Sequence, residues 1–101
     1  MALKINNENF AEVKAQSLPV VIDFWATWCG PCRMVAPIVE QIAQENDTIA
    51  VGKVNVDEAG SLAAQFGITS IPTLILLEKG EAKATVVGFR PKADIEKLLG
   101  L

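Results

Sequence analysis

Residues 19–32 read PVVIDFWATWCGPC, an apolar run that leads directly into the only two cysteines of the chain, Cys29 and Cys32. The run is nearly continuous and rich in β-branched and aromatic residues, which predicts a central strand covered on both faces. From Pro31 onward the apolar residues recur at helical spacing through residue 42. The cysteines therefore fall where a buried strand ends and a helix begins.

Two thiols at this spacing can close a small ring as a disulfide or open as a dithiol, which indicates redox chemistry. A structural disulfide and a zinc half-site are the alternatives. Zinc usually takes four Cys or His ligands, whereas this chain has two cysteines and no histidine. The missing histidine also excludes Cys-His hydrolases and His-based acid-base catalysis. We expect no metal site.

The two cysteines are predicted to differ in reactivity. Cys29 lies at the start of the helix, where unpaired backbone N–H groups and the helix dipole favour a thiolate. Cys32, one turn further on, is expected to be more buried and less acidic. In the predicted mechanism Cys29 attacks a substrate disulfide and Cys32 resolves the resulting mixed disulfide, after which an external reductant reopens the internal bridge.

Length and composition set the class of protein. The chain has 101 residues, of which half are hydrophobic and 21% are charged, with a formal net charge of −3. We expect one domain over residues 1–101, monomeric, with no nucleic-acid or membrane partner. The N-terminus has no secretory pattern, so we expect a cytoplasmic location, where a purely structural disulfide is rare.

Hydrophobic periodicity predicts the remaining elements. An edge strand over residues 3–5 is followed by a short helix within residues 6–14, and Asp57 is expected to cap a helix that stops at Gly67. The other predicted elements are strands at 48–56, 73–77 and 82–87 and a helix starting at Pro91. The order β-α-β-α-β-α-β-β-α predicts an α/β protein with a mixed sheet of about five strands and four helices distributed over both faces.

Asp23 is a carboxylate within the most apolar strand of the chain. Burial there costs solvation free energy and raises the pKa of the group. Lys53, equally unusual in the next buried strand, is its natural partner if the two strands are adjacent. Asp23 is a candidate acceptor for the Cys32 proton, directly or through a water. The alternative is an ion pair with a structural role only.

Two prolines and two tryptophans are ambiguous on their own. Pro72 opens an apolar strand, and base rates favour an ordinary trans strand start, since few X-Pro bonds are cis. Pro37 lies inside the second helix, where a kink for packing and a kink for function are equally compatible with the pattern. Trp25 and Trp28, judged alone, are typical of a core.

Several of these motifs occur together in one known family. The chain carries Asp23 to Ala26, Trp28 to Cys32, Ile71 to Thr73 and Val87-Gly88, and in this combination and order it closely resembles the thioredoxin family over nearly its whole length. The resemblance implies the thioredoxin fold, with Pro72 cis and packed beside the disulfide. It thereby reverses the base-rate expectation for this proline.

The resemblance also implies functional roles. Asp23 and Lys53 match the buried pair that assists the resolving thiol, Trp25 matches the tryptophan beneath the site, and Ile71 would pair its backbone with the substrate as an added strand. The residues that match the family's flat apolar docking surface are Trp28, Gly30, Pro31, Ile71, Pro72, Val87 and Gly88. Phe89 departs from the pattern, in which a small residue commonly follows the glycine. We expect a consequence for which targets dock and none for the chemistry.

Gly30 and Pro31 add no charge between the cysteines, so we predict a general protein-disulfide reductase, and we expect no bound cofactor. Its partners would be disulfide-containing proteins and a separate thioredoxin reductase, supplied with electrons by NADPH or by ferredoxin. Oxidising relatives typically carry a histidine between the cysteines, whereas this chain has Gly30-Pro31. The alternatives are a disulfide oxidase or isomerase, and a binding module whose affinity the thiols switch.

Overall fold

The computed structural model describes residues 2–101, so that Met1, the first residue of the expected domain, lies outside the described residues. Nine elements follow in the predicted order. The strands are β1 (Leu3–Lys4), β2 (Val20–Trp25), β3 (Ala50–Asn55), β4 (Thr73–Glu78) and β5 (Glu81–Val87). The helices are α1 (Phe10–Ala15), α2 (Gly30–Glu45), α3 (Gly60–Gln65) and α4 (Lys92–Leu99).

The strands form a five-stranded sheet in the order β1-β3-β2-β4-β5. Strand β3 pairs in parallel with both β1 and β2, whereas β4 runs antiparallel to β2 and β5. The predicted mixed α/β architecture is therefore confirmed. The most apolar strand, β2, occupies the centre, where both of its edges are paired and both faces are covered.

Helices cover both faces of the sheet because consecutive side chains of a strand point to opposite sides. Val20, Ile22 and Phe24 of β2 pack in one core together with residues of α1 and α3. Val21, one residue out of phase, belongs to a second core that includes residues of α2 and α4. Each helix buries its apolar stripe on one side of the same sheet.

The helix starts differ in detail from the prediction. Asn6 caps a turn over residues 7–9 by accepting the N–H groups of Glu8 and Asn9, and α1 itself begins only at Phe10. The prediction that Asp57 caps α3 is wrong, because that helix begins after Ala59 without a side-chain cap.

The backbone explains why Asp57 is not a cap. Residues 56–58 form a turn after β3. Within that turn the Asp57 N–H donates to the Asn55 Oδ1 at 2.9 Å. The extra turn separates Asp57 from the first residue of α3, so that its carboxylate is available to another partner.

Two further observations concern the helices. Helix α2 continues through Pro37 without ending. Among residues 2–101, none of the helices combines the length and the apolar character needed to span a bilayer.

Candidate functional site

Cys29 and Cys32 form a disulfide at the junction of β2 and α2, with their Cα atoms 5.3 Å apart. Cys29 is the N-cap residue of α2, and its Sγ accepts the Cys32 N–H at 3.2 Å. Because this N–H belongs to the first turn of a helix, it favours negative charge on the Cys29 sulfur. The residues are 5% and 3% exposed, so burial barely distinguishes them. The two cysteines differ in reactivity because Cys29 lies at the helix start, where the Cys32 N–H stabilises its thiolate.

The Ile71–Pro72 peptide bond is cis, as the family resemblance implies. Ile71 places its carbonyl oxygen 3.8 Å from the Cys29 Sγ. Pro72 is buried, and its carbonyl oxygen accepts the Gly88 N–H at 2.8 Å. The pairing of β4 with β5 sets Val87 opposite the first residue of β4, which brings the segments 71–72 and 87–88 together beside the disulfide.

Exposed apolar side chains lie in the segments on either side of the disulfide. Trp28 is 67% exposed and Val87 is 50% exposed, although valine is among the residues most often fully buried and tryptophan is highly buried on average. Pro31 is also exposed, and Gly30 is partly exposed. Phe89, which follows Gly88, is 42% exposed. Both the chain before α2 and the chain after β5 therefore present apolar surface to solvent.

The orientation of Trp28 depends on a residue to which the sequence analysis assigned another role. The Trp28 Nε1 donates to the Asp57 Oδ2 at 2.8 Å. Strands β2 and β3 are parallel neighbours, with Trp25 opposite Asn55, so the segments that follow them leave the sheet at the same edge. The sequence signal for this contact is Asp57 itself, an acidic residue two positions after β3, which the sequence analysis interpreted as a helix cap.

Asp23 is 1% exposed, and within residues 2–101 neither of its carboxylate oxygens has a hydrogen-bond partner. Burial raises its pKa to about 7 from the usual 3.8, against the opposing positive charge of Lys53. Asp23 and Cys32 line the same cavity of about 270 Å³, together with Trp25 and Lys53. A cavity of this size, whose lining includes the Asp23 carboxyl group and the Lys53 side chain, has room for water near the carboxyl group and Cys32.

Lys53 lies opposite Asp23 in the register of the two parallel strands. Nevertheless, no ion pair within 4.0 Å joins the two side chains in the described part of the chain. The Lys53 Nζ instead lies 4.9 Å from the centroid of the Trp25 ring. The direct buried ion pair considered from the sequence is therefore not formed, because the long lysine side chain places its ammonium over the indole face.

Arg33 is a further residue of the site that sequence reasoning missed. Its Nη1 donates to the Thr27 carbonyl oxygen at 2.8 Å, which ties the first turn of α2 to the segment that follows β2. Both residues line the cavity that contains Asp23. Pro37, one turn further along α2, is exposed and does not line this cavity.

Within the described part of the chain, the site has no arrangement typical of a metal centre. Among the residues that the structure describes, no three or more His, Cys, Asp or Glu side chains are grouped so that they could hold a metal ion. The chemistry that these residues can perform on their own is the opening and closing of the Cys29–Cys32 disulfide.

Residues 1–100 match the family model described as Thioredoxin. The protein called Thioredoxin 1 from Synechococcus elongatus is 54% identical over 89 residues, which cover 87% of this chain and 83% of that protein. Thioredoxin from Porphyra purpurea is 51% identical over 89 residues, with the same coverage of each chain. Thioredoxin from Alicyclobacillus acidocaldarius is 44% identical over 98 residues, covering 96% of this chain and 93% of that protein.

A match of this extent, on a chain whose only two cysteines are paired at the start of a helix, allows one assignment. The chain belongs to the thioredoxin family and is a dithiol-disulfide oxidoreductase.

Proposed function

We propose that this protein is a general protein-disulfide reductase in which Cys29 is the nucleophile and Cys32 the resolving thiol. The observation that carries the proposal is the N–H of Cys32, which donates to the Cys29 Sγ at the first turn of α2. This donor and the helix dipole stabilise the Cys29 thiolate, the form that attacks a disulfide.

The reaction proceeds through two exchanges of sulfur partners. The Cys29 thiolate attacks one sulfur of the target disulfide, forming a mixed disulfide and releasing the other target sulfur as a thiolate. The Cys32 thiolate then attacks the Cys29 sulfur, closes the internal disulfide and releases the remaining target sulfur. Two electrons pass from the dithiol to the target, whose two sulfurs end as thiols after taking up two protons.

Asp23 is the proposed acceptor of the Cys32 proton, with Lys53 as its electrostatic partner. Within residues 2–101 its carboxyl group has no hydrogen-bond partner, and it shares a cavity with Cys32. A pKa of about 7 is suitable for taking up and returning a proton near neutral pH. A water in the cavity would carry the proton between the two groups. Trp25 and Pro37 are assigned supporting structural roles.

The docking surface is proposed to lie around the disulfide. It consists of Trp28, Gly30, Pro31, Ile71, Pro72, Val87 and Gly88. The backbone of Ile71 would pair with an extended segment of the target, and the exposed apolar side chains would cover the residues that flank the target disulfide. Phe89 enlarges this apolar surface next to Gly88 and would influence which targets dock.

The direction of electron flow follows from how strongly the thiolate is stabilised. When the thiolate is very stable, the reduced form of the protein is favoured and the disulfide form is a strong oxidant. The residues between the cysteines, Gly30 and Pro31, add no positive charge. We therefore propose reduction of targets, and oxidation or isomerisation is the alternative.

The remaining proposals concern the protein's surroundings. We infer a monomeric, cytoplasmic protein that forms one domain over residues 1–101 and binds neither nucleic acid nor membranes. It would carry no cofactor and would be reduced by a separate thioredoxin reductase supplied with electrons by NADPH or ferredoxin. Incubating the oxidised protein with purified reductases of the two classes would identify the electron source.

The experiment that tests the proposed function compares Cys29→Ser and Cys32→Ser with the unmodified protein. A disulfide-containing protein serves as substrate and a small dithiol as the electron source. We expect no turnover by Cys29→Ser. When the Cys32→Ser variant is reduced, freed of the dithiol and then mixed with the substrate, a mixed disulfide should accumulate on Cys29, because no second thiol is present to displace it. Turnover by Cys29→Ser would disprove the assignment of the nucleophile. Efficient oxidation of reduced substrates in a glutathione buffer would favour the oxidase or isomerase alternative.

A second candidate function is favoured by the exposure of Trp28 and Val87 beside the disulfide. In a redox-gated binding module this surface would hold a partner and the thiols would only change its affinity. The double variant Cys29→Ser, Cys32→Ser distinguishes the two functions. Binding of a target that persists in this variant supports a role separate from catalysis, and loss of binding contradicts it.

A further inference from the structure

The segment from Ser70 to Pro72 is held at both ends. The Thr73 Oγ1 donates to the Ser70 carbonyl oxygen at 2.6 Å. At the other end the Gly88 N–H donates to the Pro72 carbonyl oxygen at 2.8 Å. The carbonyl groups on either side of Ile71 are therefore already engaged within the protein.

The backbone of Ile71 itself is left available. Its carbonyl oxygen lies 3.8 Å from the Cys29 Sγ, and within residues 2–101 its N–H has no acceptor. A backbone N–H or carbonyl group that has no hydrogen bond costs free energy when a bound protein covers it. A target strand therefore gains the most stability by forming its hydrogen bonds with these groups. The two anchors thus leave one residue of the loop free to pair, directly beside the reactive sulfur.

The hydroxyl of Thr73 is not needed for the strand that it begins. Thr73 is 3% exposed, and its backbone is in register with Phe24 of β2 and Val87 of β5. A valine would have nearly the same shape and would suit a buried β-strand at least as well. What the hydroxyl adds is the hydrogen bond to the Ser70 carbonyl, which acts on the loop and not on the sheet.

We propose that Thr73 is a positioning residue whose hydroxyl holds the Ser70 carbonyl, so that the Ile71 backbone remains directed toward the docked target beside Cys29. The inference rests on the proposed function, because it assigns Thr73 a role in binding protein disulfides. It applies to substrates that pair with the Ile71 backbone. A small disulfide that reaches only the Cys29 sulfur does not depend on it.

The test compares Thr73→Val with the unmodified protein on two substrates, a disulfide-containing protein and a small aromatic disulfide such as dithiobis(nitrobenzoate). We expect the KM for the protein substrate to rise about 3- to 10-fold, the range expected for one lost hydrogen bond. The kcat for the protein and the rate with the small disulfide should stay within about 2-fold, because the thiol chemistry is unchanged. Thr48→Val, at an exposed position before β3, is the matched control and should leave all values unchanged.

The pair Thr73→Ser and Thr73→Ala keeps the test decisive if the valine variant does not fold. Both remove the methyl group, but only serine retains the hydroxyl, so serine should restore the KM for the protein substrate and alanine should not. An unchanged KM in Thr73→Val and Thr73→Ala, or an equal loss with both substrates, would overturn the proposal. Failure of the proposed function would appear differently, as an unmodified protein that does not reduce the protein disulfide.

Discussion

Asp23 and Lys53 lie opposite each other on adjacent parallel strands, yet the Lys53 ammonium sits over the Trp25 ring, 4.9 Å from its centroid, and does not contact the carboxyl group. Lys53 therefore acts on Asp23 through space, and the carboxyl oxygens remain without a hydrogen-bond partner in the described residues. This leaves room for a proton carrier in the cavity shared with Cys32. The folded protein therefore contains a buried carboxyl group whose lost hydration is only partly replaced by the positive charge of Lys53.

Replacing Asp23 by asparagine should stabilise the oxidised protein at pH values above 7. The pKa of Asp23 is 3.8 in the unfolded chain and about 7 in the folded protein. Between these values the folded state binds more protons than the unfolded state, so the free energy of unfolding falls as pH rises. The full penalty, about 4 kcal/mol, is present above about pH 7 and is absent below about pH 4.

Urea unfolding of Asp23→Asn and the unmodified protein across this pH range measures the difference. Asp47→Asn, at an exposed position, is the control and should change little at any pH. A gain in stability that is the same at low and high pH would contradict the assignment of the penalty to ionisation of Asp23.

Replacing Lys53 by glutamine should raise the pKa of Asp23 further. The positive charge of Lys53 is the influence that opposes desolvation at this carboxyl group, and glutamine retains much of the side chain without the charge. Titration of the Asp23 carboxyl carbon by NMR measures the shift directly. Lys83→Gln, on the edge strand β5 where the lysine pairs with Glu81 at 2.9 Å, should leave the Asp23 titration unchanged. A lower pKa in Lys53→Gln would show that this picture is wrong.

Removing the acceptor of the Trp28 indole should weaken target binding. Asp57→Ala leaves the Trp28 Nε1 without its partner at 2.8 Å, which frees a side chain that is 67% exposed. We expect the KM for a protein disulfide to rise about 2- to 5-fold, the effect of ordering one surface side chain upon binding. Steady-state kinetics with a protein substrate provides the measurement. Asp57→Asn keeps an acceptor oxygen at this position and should restore most of the loss, and equal defects in both variants would argue against the hydrogen bond.

Replacing Gly52 by alanine should destabilise the edge of the sheet. A Cβ at this position would overlap the Ile5 Cδ1 and Cγ1 and lie 3.2 Å from the Leu3 carbonyl oxygen, so the buried Ile5 side chain would have to move. We expect a loss of about 1 to 3 kcal/mol in the free energy of unfolding, typical of overpacking. Denaturant unfolding measures it.

Two further variants test the cause of this loss. Combining Gly52→Ala with Ile5→Ala removes the overlapping side chain, so the two substitutions should cost less together than the sum of their separate effects. Gly60→Ala, at the first residue of α3 with nothing near its Cβ position, should be neutral or slightly stabilising. Full additivity of the first pair would exclude steric overlap as the cause.

The order of helices and strands was predictable because it depends on local patterns. The run from Val20 to Trp25 is apolar at every position except Asp23, as expected for a strand with both faces covered, and it is the central strand of the sheet. The helical spacing after Pro31 likewise predicted α2, and the cysteines lie at its start. The role assigned to Asp57 was wrong because a capping residue and a turn residue have the same composition, and only the position of the first helical residue separates them.

By itself, the sequence determined that two thiols lie between a buried strand and a helix, and that a carboxyl group is buried within that strand. Periodicity and composition are sufficient for this, since each is a property of neighbouring residues. Only the tertiary structure decided which distant groups come together around the site. The carbonyl of Ile71 lies beside Cys29, the carboxylate of Asp57 accepts from Trp28, and the ammonium of Lys53 lies over Trp25. These approaches depend on strand order, register and side-chain direction, which arise when the whole sheet is paired and both of its faces are packed.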